Sequence, residues 1–185
     1  VHTQEARGFV ARSKDQYDLI QVAMLDSFAA SGSGVQALSE SYLYTVEAIR
    51  EYLKNTTTGG MLAITRWLKL PPRDNLKLAA TVIDALWEMG VAEPERQLAL
   101  IRSWNTSTML VKNGEFSAED IAAIHQFAHS PSFDTAFYPS MTTHDANRCH
   151  TLDQPFLYHG VNALAGHDAA CFVAPYQSHI APPRD

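Results

Sequence analysis

Hydrophobic spacing alternates between helical and extended periods along this chain, and the switches mark its elements. Ala6, Phe9 and Val10 sit at helical spacing within residues 5–13 and predict a short opening helix. Residues 17–25, YDLIQVAML, then run apolar on both faces, the pattern of a central parallel strand. Asp26 ends the run ahead of a small, polar loop, DSFAASGSGVQ. Leu38, Tyr42, Val46, Ile49 and Leu53 recur every three or four positions, with Glu40, Glu47, Arg50 and Glu51 off the stripe, so an amphipathic helix follows. TTTGG at 56–60 reads as its terminator and MLAITRW at 61–67 as the next strand.

Downstream, Asn75 is placed to cap a helix whose stripe is Leu76, Ala79, Val82, Ile83, Leu86 and Trp87, and Gly90 to stop it. RQLALIRSW and STMLVKN are strands joined by little more than Asn105-Thr106, a link that permits only an antiparallel hairpin. Ser117 lies three residues before Asp120, a capping-box spacing that opens a helix. Beyond Ser130 the pattern weakens, with a short strand at 133–138 and a helix in FLYHGVNALAG. Strand–helix alternation followed by a hairpin predicts an α/β fold on a mainly parallel sheet, with an antiparallel hairpin at one edge. Residues 1–140 form that unit, and 141–185 form an irregular C-terminal extension with a short helix.

Composition narrows the function. The 185 residues are 46% hydrophobic and 18% charged, with a formal net charge of −6 and no basic run. Backbone binding to DNA or RNA, which needs clustered cations, is disfavoured, while small cationic substrates stay open. Cys149 and Cys171 stand apart in no metal or redox spacing and read as reduced thiols. No apolar run reaches membrane-spanning length. His144, Asp145, Cys149 and His150 cluster in sequence, and His125 and His129 are four apart on one helix, but neither group has a zinc-site spacing. No GxSxG elbow marks a hydrolase. Trp67, Trp87 and Trp104 read as core or sheet-covering aromatics.

The wording of EARGFVARSKDQYDLIQVAMLD, SESYLYTVEAIREYL, GGMLAITRW and IRSWNTSTMLVKNGEFS resembles the spermidine/spermine synthase-like branch of the Rossmann-like methyltransferase superfamily. It is similar above all to bacterial proteins that join such a domain to a membrane-embedded region, over roughly residues 1–140. The resemblance implies a partial sheet, strands four to seven, and S-adenosylmethionine or its decarboxylated form as ligand. Glu5-Ala6 stands where an acidic-plus-small pair faces the adenine in that family. A surface carboxylate at a helix start is the other reading of Glu5. The family's acid-x-x-acid segment, which takes a proton from the attacking amine, aligns its first acid with Ala23 and its second with Asp26. Ala23 has no such chemistry, and an amine needs a base to free its lone pair. Asp26 remains either a cation-binding, catalytic carboxylate or a loop acid. Tyr44 resembles a substrate-side tyrosine, with Tyr42 assigned to packing. No GxGxxG or P-loop is present, so the resemblance places strands one to three upstream of Val1. Both ends of the chain read as cuts within a longer protein. The piece alone is expected to bind cofactor weakly or not at all, and to expose a sheet edge suited to homodimer pairing. The acceptor would be a small amine or other nucleophile, and the location cytoplasmic, attached to a membrane in the full-length protein. A non-catalytic assembly or ligand-sensing module is the alternative function.

Overall fold

The computed structural model describes residues 6–24, 42–129, 133–166, 169, 172 and 180–184. Five helices, α1 (Ala6–Arg12), α2 (Val46–Lys54), α3 (Arg73–Glu88), α4 (Ala118–Ala128) and α5 (Phe156–Ala165), accompany five strands. These are β1 (Tyr17–Val22), β2 (Thr56–Trp67), β3 (Leu98–Arg102), β4 (Thr106–Lys112) and β5 (Asp134–Phe137). They form one mixed sheet in the order β1-β2-β4-β3-β5. Only β1 and β2 are parallel, and β4 inserts antiparallel between β2 and β3. The α/β class and the hairpin are as expected, but the sheet is not mainly parallel, since three of its four strand pairings are antiparallel. The hairpin is not at the edge, however, because β5 adds outside β3.

The main core lies on one face. Leu62, Ile64, Leu98, Leu100, Met109 and Val111 from the sheet meet α2, α3 and α5, with Val10 of α1 packed against them. Gly160 makes the α3–α5 contact possible: a Cβ there would meet Leu76 Cδ2 at 2.2 Å. On the other face α4 covers only part of the sheet, where Ala99, Ile101, Phe116 and Ile124 cluster with Tyr138 and Met141.

Four local expectations are corrected. Residues 56–60 do not end at a break but open β2. Asn113 holds them, accepting from Gly59 N (2.8 Å), donating from its own N to Gly60 O (2.9 Å), and donating from Nδ2 to Thr56 O (2.8 Å). Gly59 at φ +80° and the register slip opposite Tyr17/Leu19 accommodate the bend. Second, β1 is not buried on both faces. It ends at Val22, forms a sheet edge among the described residues, and leaves Leu19 56% exposed. Third, α3 begins at Arg73 behind Pro72, so Asn75 is not its cap but a buried first-turn residue. Fourth, Trp87 and Trp104 are exposed, Trp104 to 73%, because the latter stands on the hairpin tip.

Both predicted helix ends downstream hold. Gly90 at φ +86° closes α3, with Gly90 N on Trp87 O and Val91 N on Leu86 O, the Schellman pair. Ser117 and Asp120 form the capping box, with Ser117 Oγ accepting from Asp120 N (3.2 Å) and Asp120 Oδ2 from Ser117 N (2.7 Å). The hydrogen bond from Lys112 is the first cause holding the Asp120 carboxyl below its ordinary value of 3.8, with Ser117 adding to it. A depressed folded-state value means that the stabilisation is present above 3.8 and lost as pH falls through the lower value. Ser117→Ala is expected to cost about 1 kcal/mol in urea denaturation at neutral pH. The difference from the parent should shrink below pH 3.8 as Asp120 protonates.

Candidate functional site

In open sheets with parallel strands, ligands bind at the carboxyl ends. Here that end carries Ala23 and Met24 after β1, residues 68–72 after β2, and the β3–β4 tip, with Leu68 N donating to Asn105 O at 2.7 Å. Ala23 is exposed beyond the strand, and its methyl group can neither take nor give a proton. Ala6 is the exposed first residue of α1. Glu5 and Asp26 lie outside the described residues.

The tyrosine assignments reverse. Tyr42 is 52% exposed and Tyr44 only 7%. The stripe does not run through as one helix: Tyr42–Tyr44 is a 3₁₀ turn, and Thr45 restarts the count as N-cap of α2, its Oγ1 accepting from Ala48 N at 3.2 Å. Tyr44 lies under the Arg66 guanidinium, 4.7 Å from the ring centroid. Tyr42 is therefore the tyrosine open to a ligand at this end, and Tyr44 supports Arg66.

A groove of about 560 Å³ lies on the open face beside β1. Its floor is Leu19, Gln21, Met61, Ala63 and Leu110, and its wall includes Phe127, stacked on Phe133 at 5.1 Å between centroids. Its hydroxyls are already paired: Thr108 with Thr65 at 2.9 Å and Ser103 with Thr106 at 2.7 Å. Asp120 at the border is engaged by Lys112 and Ser117. Chemically the groove offers apolar surface and little else. The sequence signal for this face is weak: along β4 Thr106 and Thr108 alternate with the buried Met109 and Val111, but Leu19, Met61 and Leu110 on the groove side are as apolar as the core.

A second cleft, about 270 Å³, brings together His125 of α4 and its C-cap His129 with Asp145, Arg148 and Cys149 of the following loop. Sequence placed these in two unrelated groups. The His125 ring stands edge-on to Tyr138 at 4.6 Å, and His129 Nδ1 lies 3.1 Å from His125 O. Asp145 accepts from Thr142 Oγ1 (2.6 Å), which holds its carboxyl below the ordinary range, while burial and then the Asp145 charge raise the Tyr138 phenol. Among the described residues no three His, Cys, Asp or Glu side chains converge to hold a metal ion. Compared with family models, curated proteins and solved structures, the chain matches none.

Proposed function

We propose that the chain is the C-terminal half of a spermidine synthase-like, S-adenosylmethionine-dependent transferase domain, which passes a methyl or aminopropyl group to an amine or other nucleophile. The observation that carries this reading is that, among the described residues, β1 is an edge strand beside an open apolar face. Helix α1 packs on the same side of the sheet as the crossover helix α2. A right-handed crossover through α1 then puts a preceding parallel strand on the free side of β1, away from β2. The upstream strands would then lie on that side, strand one among them, with its Gly-rich turn and a helix to cover the groove. The wording shared with the synthase branch supplies the chemistry, and the order of two parallel strands followed by a hairpin agrees with it.

Ala23 favours an altered reaction over ordinary aminopropyl transfer, since the amine must lose its proton to another base. The same residue keeps alive the second reading, a non-catalytic assembly or sensing module. No helix among the described residues is long and apolar enough to cross a membrane. The reading therefore leaves any membrane attachment to another part of the full-length protein, with this domain on the cytoplasmic side. Calorimetric titration of the full-length protein with S-adenosylmethionine and with its decarboxylated form tests the proposal. Saturable heat with one of them, and none from residues 1–185 alone, is the expected result. No heat with either ligand transfers the chain to the non-catalytic reading.

A further inference from the structure

The carboxyl end of the sheet carries a second feature, independent of any cofactor. Trp104 is the most exposed large apolar residue described, at 73%, and it stands on the β3–β4 tip. The hydrogen bond from Leu68 N to Asn105 O joins that tip to the loop after β2, where Leu70 is also exposed beside Pro71. The Trp104 ring stands edge-on to His150 at 5.9 Å between centroids yet keeps most of its surface in solvent, and with Leu70 on the adjoining loop it forms a wedge. Around the wedge stand cations. Lys69 and Arg73 are exposed and Lys77 lies one turn on from Arg73 along the same face of α3. None of the three is in an ion pair among the described residues, although the cations elsewhere in the fold are commonly paired, as Arg50, Lys54, Arg96, Lys112 and Arg184 are. Asp74 is the one acid within residues 69–77. The chain as a whole carries −6, so the segment 69–77 is a local reversal of sign.

We infer that this end of the molecule docks on an anionic lipid surface, with Trp104 and Leu70 entering the headgroup layer and Lys69, Arg73 and Lys77 meeting the phosphates and carboxylates around them. Tryptophan prefers the membrane–water boundary because its ring is apolar and its indole N–H still finds an acceptor there. The basic ring supplies the attraction to anionic headgroups, which decays within a Debye length and so acts only at contact. The net charge of −6 on the chain as a whole opposes adsorption without a preferred face and so favours contact through this patch. A nucleic acid or an acidic peptide would use the cations but has no layer to receive an unpaired Leu70, and the charge on the rest of the chain opposes wrapping by a polyanion.

The test is co-sedimentation of the protein with vesicles of phosphatidylcholine alone and of phosphatidylcholine containing phosphatidylserine, at low and at physiological salt. Binding is expected only to the anionic vesicles, weak and salt-sensitive, with a blue shift of tryptophan emission. Lys69→Glu with Arg73→Glu is expected to lower it at least about 30-fold. Trp104→Ser is expected to lower it about tenfold and to abolish the shift, leaving Trp67 and Trp87 as an unchanged background. Phe127→Ser, in the groove, is expected to leave vesicle binding as it was. All four positions are exposed, so the variants should fold, which circular dichroism checks. No binding to anionic vesicles, equal binding to neutral ones, or a Trp104→Ser variant as avid as the parent overturns the inference. The last result, together with displacement by an oligonucleotide, would reassign the patch to general polyanion binding.

Discussion

Replacing Arg102 with alanine is expected to cost about 3–5 kcal/mol, a large fraction of the stability of an ordinary domain. Arg102 and Asp134 are each only 3% exposed, and Arg102 Nη2 lies 2.7 Å from Asp134 Oδ2. The same nitrogen reaches Cys149 O (2.8 Å), His150 O (3.0 Å) and Asn147 Oδ1 (3.2 Å). One side chain therefore neutralises a buried carboxylate and pins the loop that carries Arg148 and Cys149 into the polar cleft. Asn147 closes the loop from within, with Nδ2 on Leu152 O (2.7 Å) and Oδ1 accepting from Leu152 N (2.8 Å). Removing Arg102 strands the Asp134 charge in a dry site, a penalty larger than the net worth of the pair. A double variant, Arg102→Met with Asp134→Leu, removes both charges and is expected to recover most of the loss. Urea denaturation of the three proteins measures this. The loop amides of 141–152 should also exchange faster in Arg102→Ala than in the parent. A loss under about 1 kcal/mol for the single variant would mean that the pair is not buried as described.

Ile180→Ala is expected to cost about 2–5 kcal/mol, the range for emptying a fully buried aliphatic site. Ile180 is 1% exposed and belongs to the main core. Around it the segment 180–184 ties two helices together. Pro183 O accepts from Val46 N at 3.0 Å, using one of the donors that the start of α2 cannot satisfy internally. Arg184 forms ion pairs with Asp84 and Glu88 of α3, and Glu88 also pairs with Arg50 of α2 at 2.8 Å. The Arg184 hydrogen bond is the main cause of the lowered Glu88 carboxyl. These ion pairs face solvent and should weaken with salt, whereas the Ile180 contribution should not. Thermal or urea unfolding of Ile180→Ala at low and high salt separates the two, with the loss persisting in high salt as the expected outcome.

That strap shows what a pattern reading loses. HIAPPRD has no period, so residues 141–185 read as an irregular extension, yet Ile180 is buried in the main core beside the strand residues. Periodic elements with their own punctuation were legible: the β3–β4 hairpin, the Ser117–Asp120 box and the Gly90 stop each declare a boundary through local backbone chemistry. The misses depend on distant partners. Thr56–Gly60 reads as a turn until Asn113 supplies its hydrogen bonds, and Gly60 fits there because a Cβ would press on Thr57 Oγ1 at 2.7 Å and on Asp18 O at 3.0 Å. Tyr42 and Tyr44 exchange roles because the Thr45 cap resets the helical phase, a shift that spacing alone does not register. At the candidate site, that Ala23 carries no group able to take a proton was legible from the residue itself. The groove beside it was not, because apolar strands look the same whether or not a helix covers them.

The proposed transferase reading requires β1 to be an internal strand of a larger sheet, with its outer edge and the groove face covered in the full-length protein. Amide hydrogen exchange over residues 17–24 measures that most directly. In residues 1–185 alone, at dilutions where the chain is monomeric, the β1 amides that point away from β2 should exchange quickly, since no described strand receives them. In the full-length protein the same amides should be slowed to the level of β2, because a strand paired on the outer edge opens only with the sheet. Equal, fast exchange of these amides in both proteins would contradict the claim and leave β1 as a true edge.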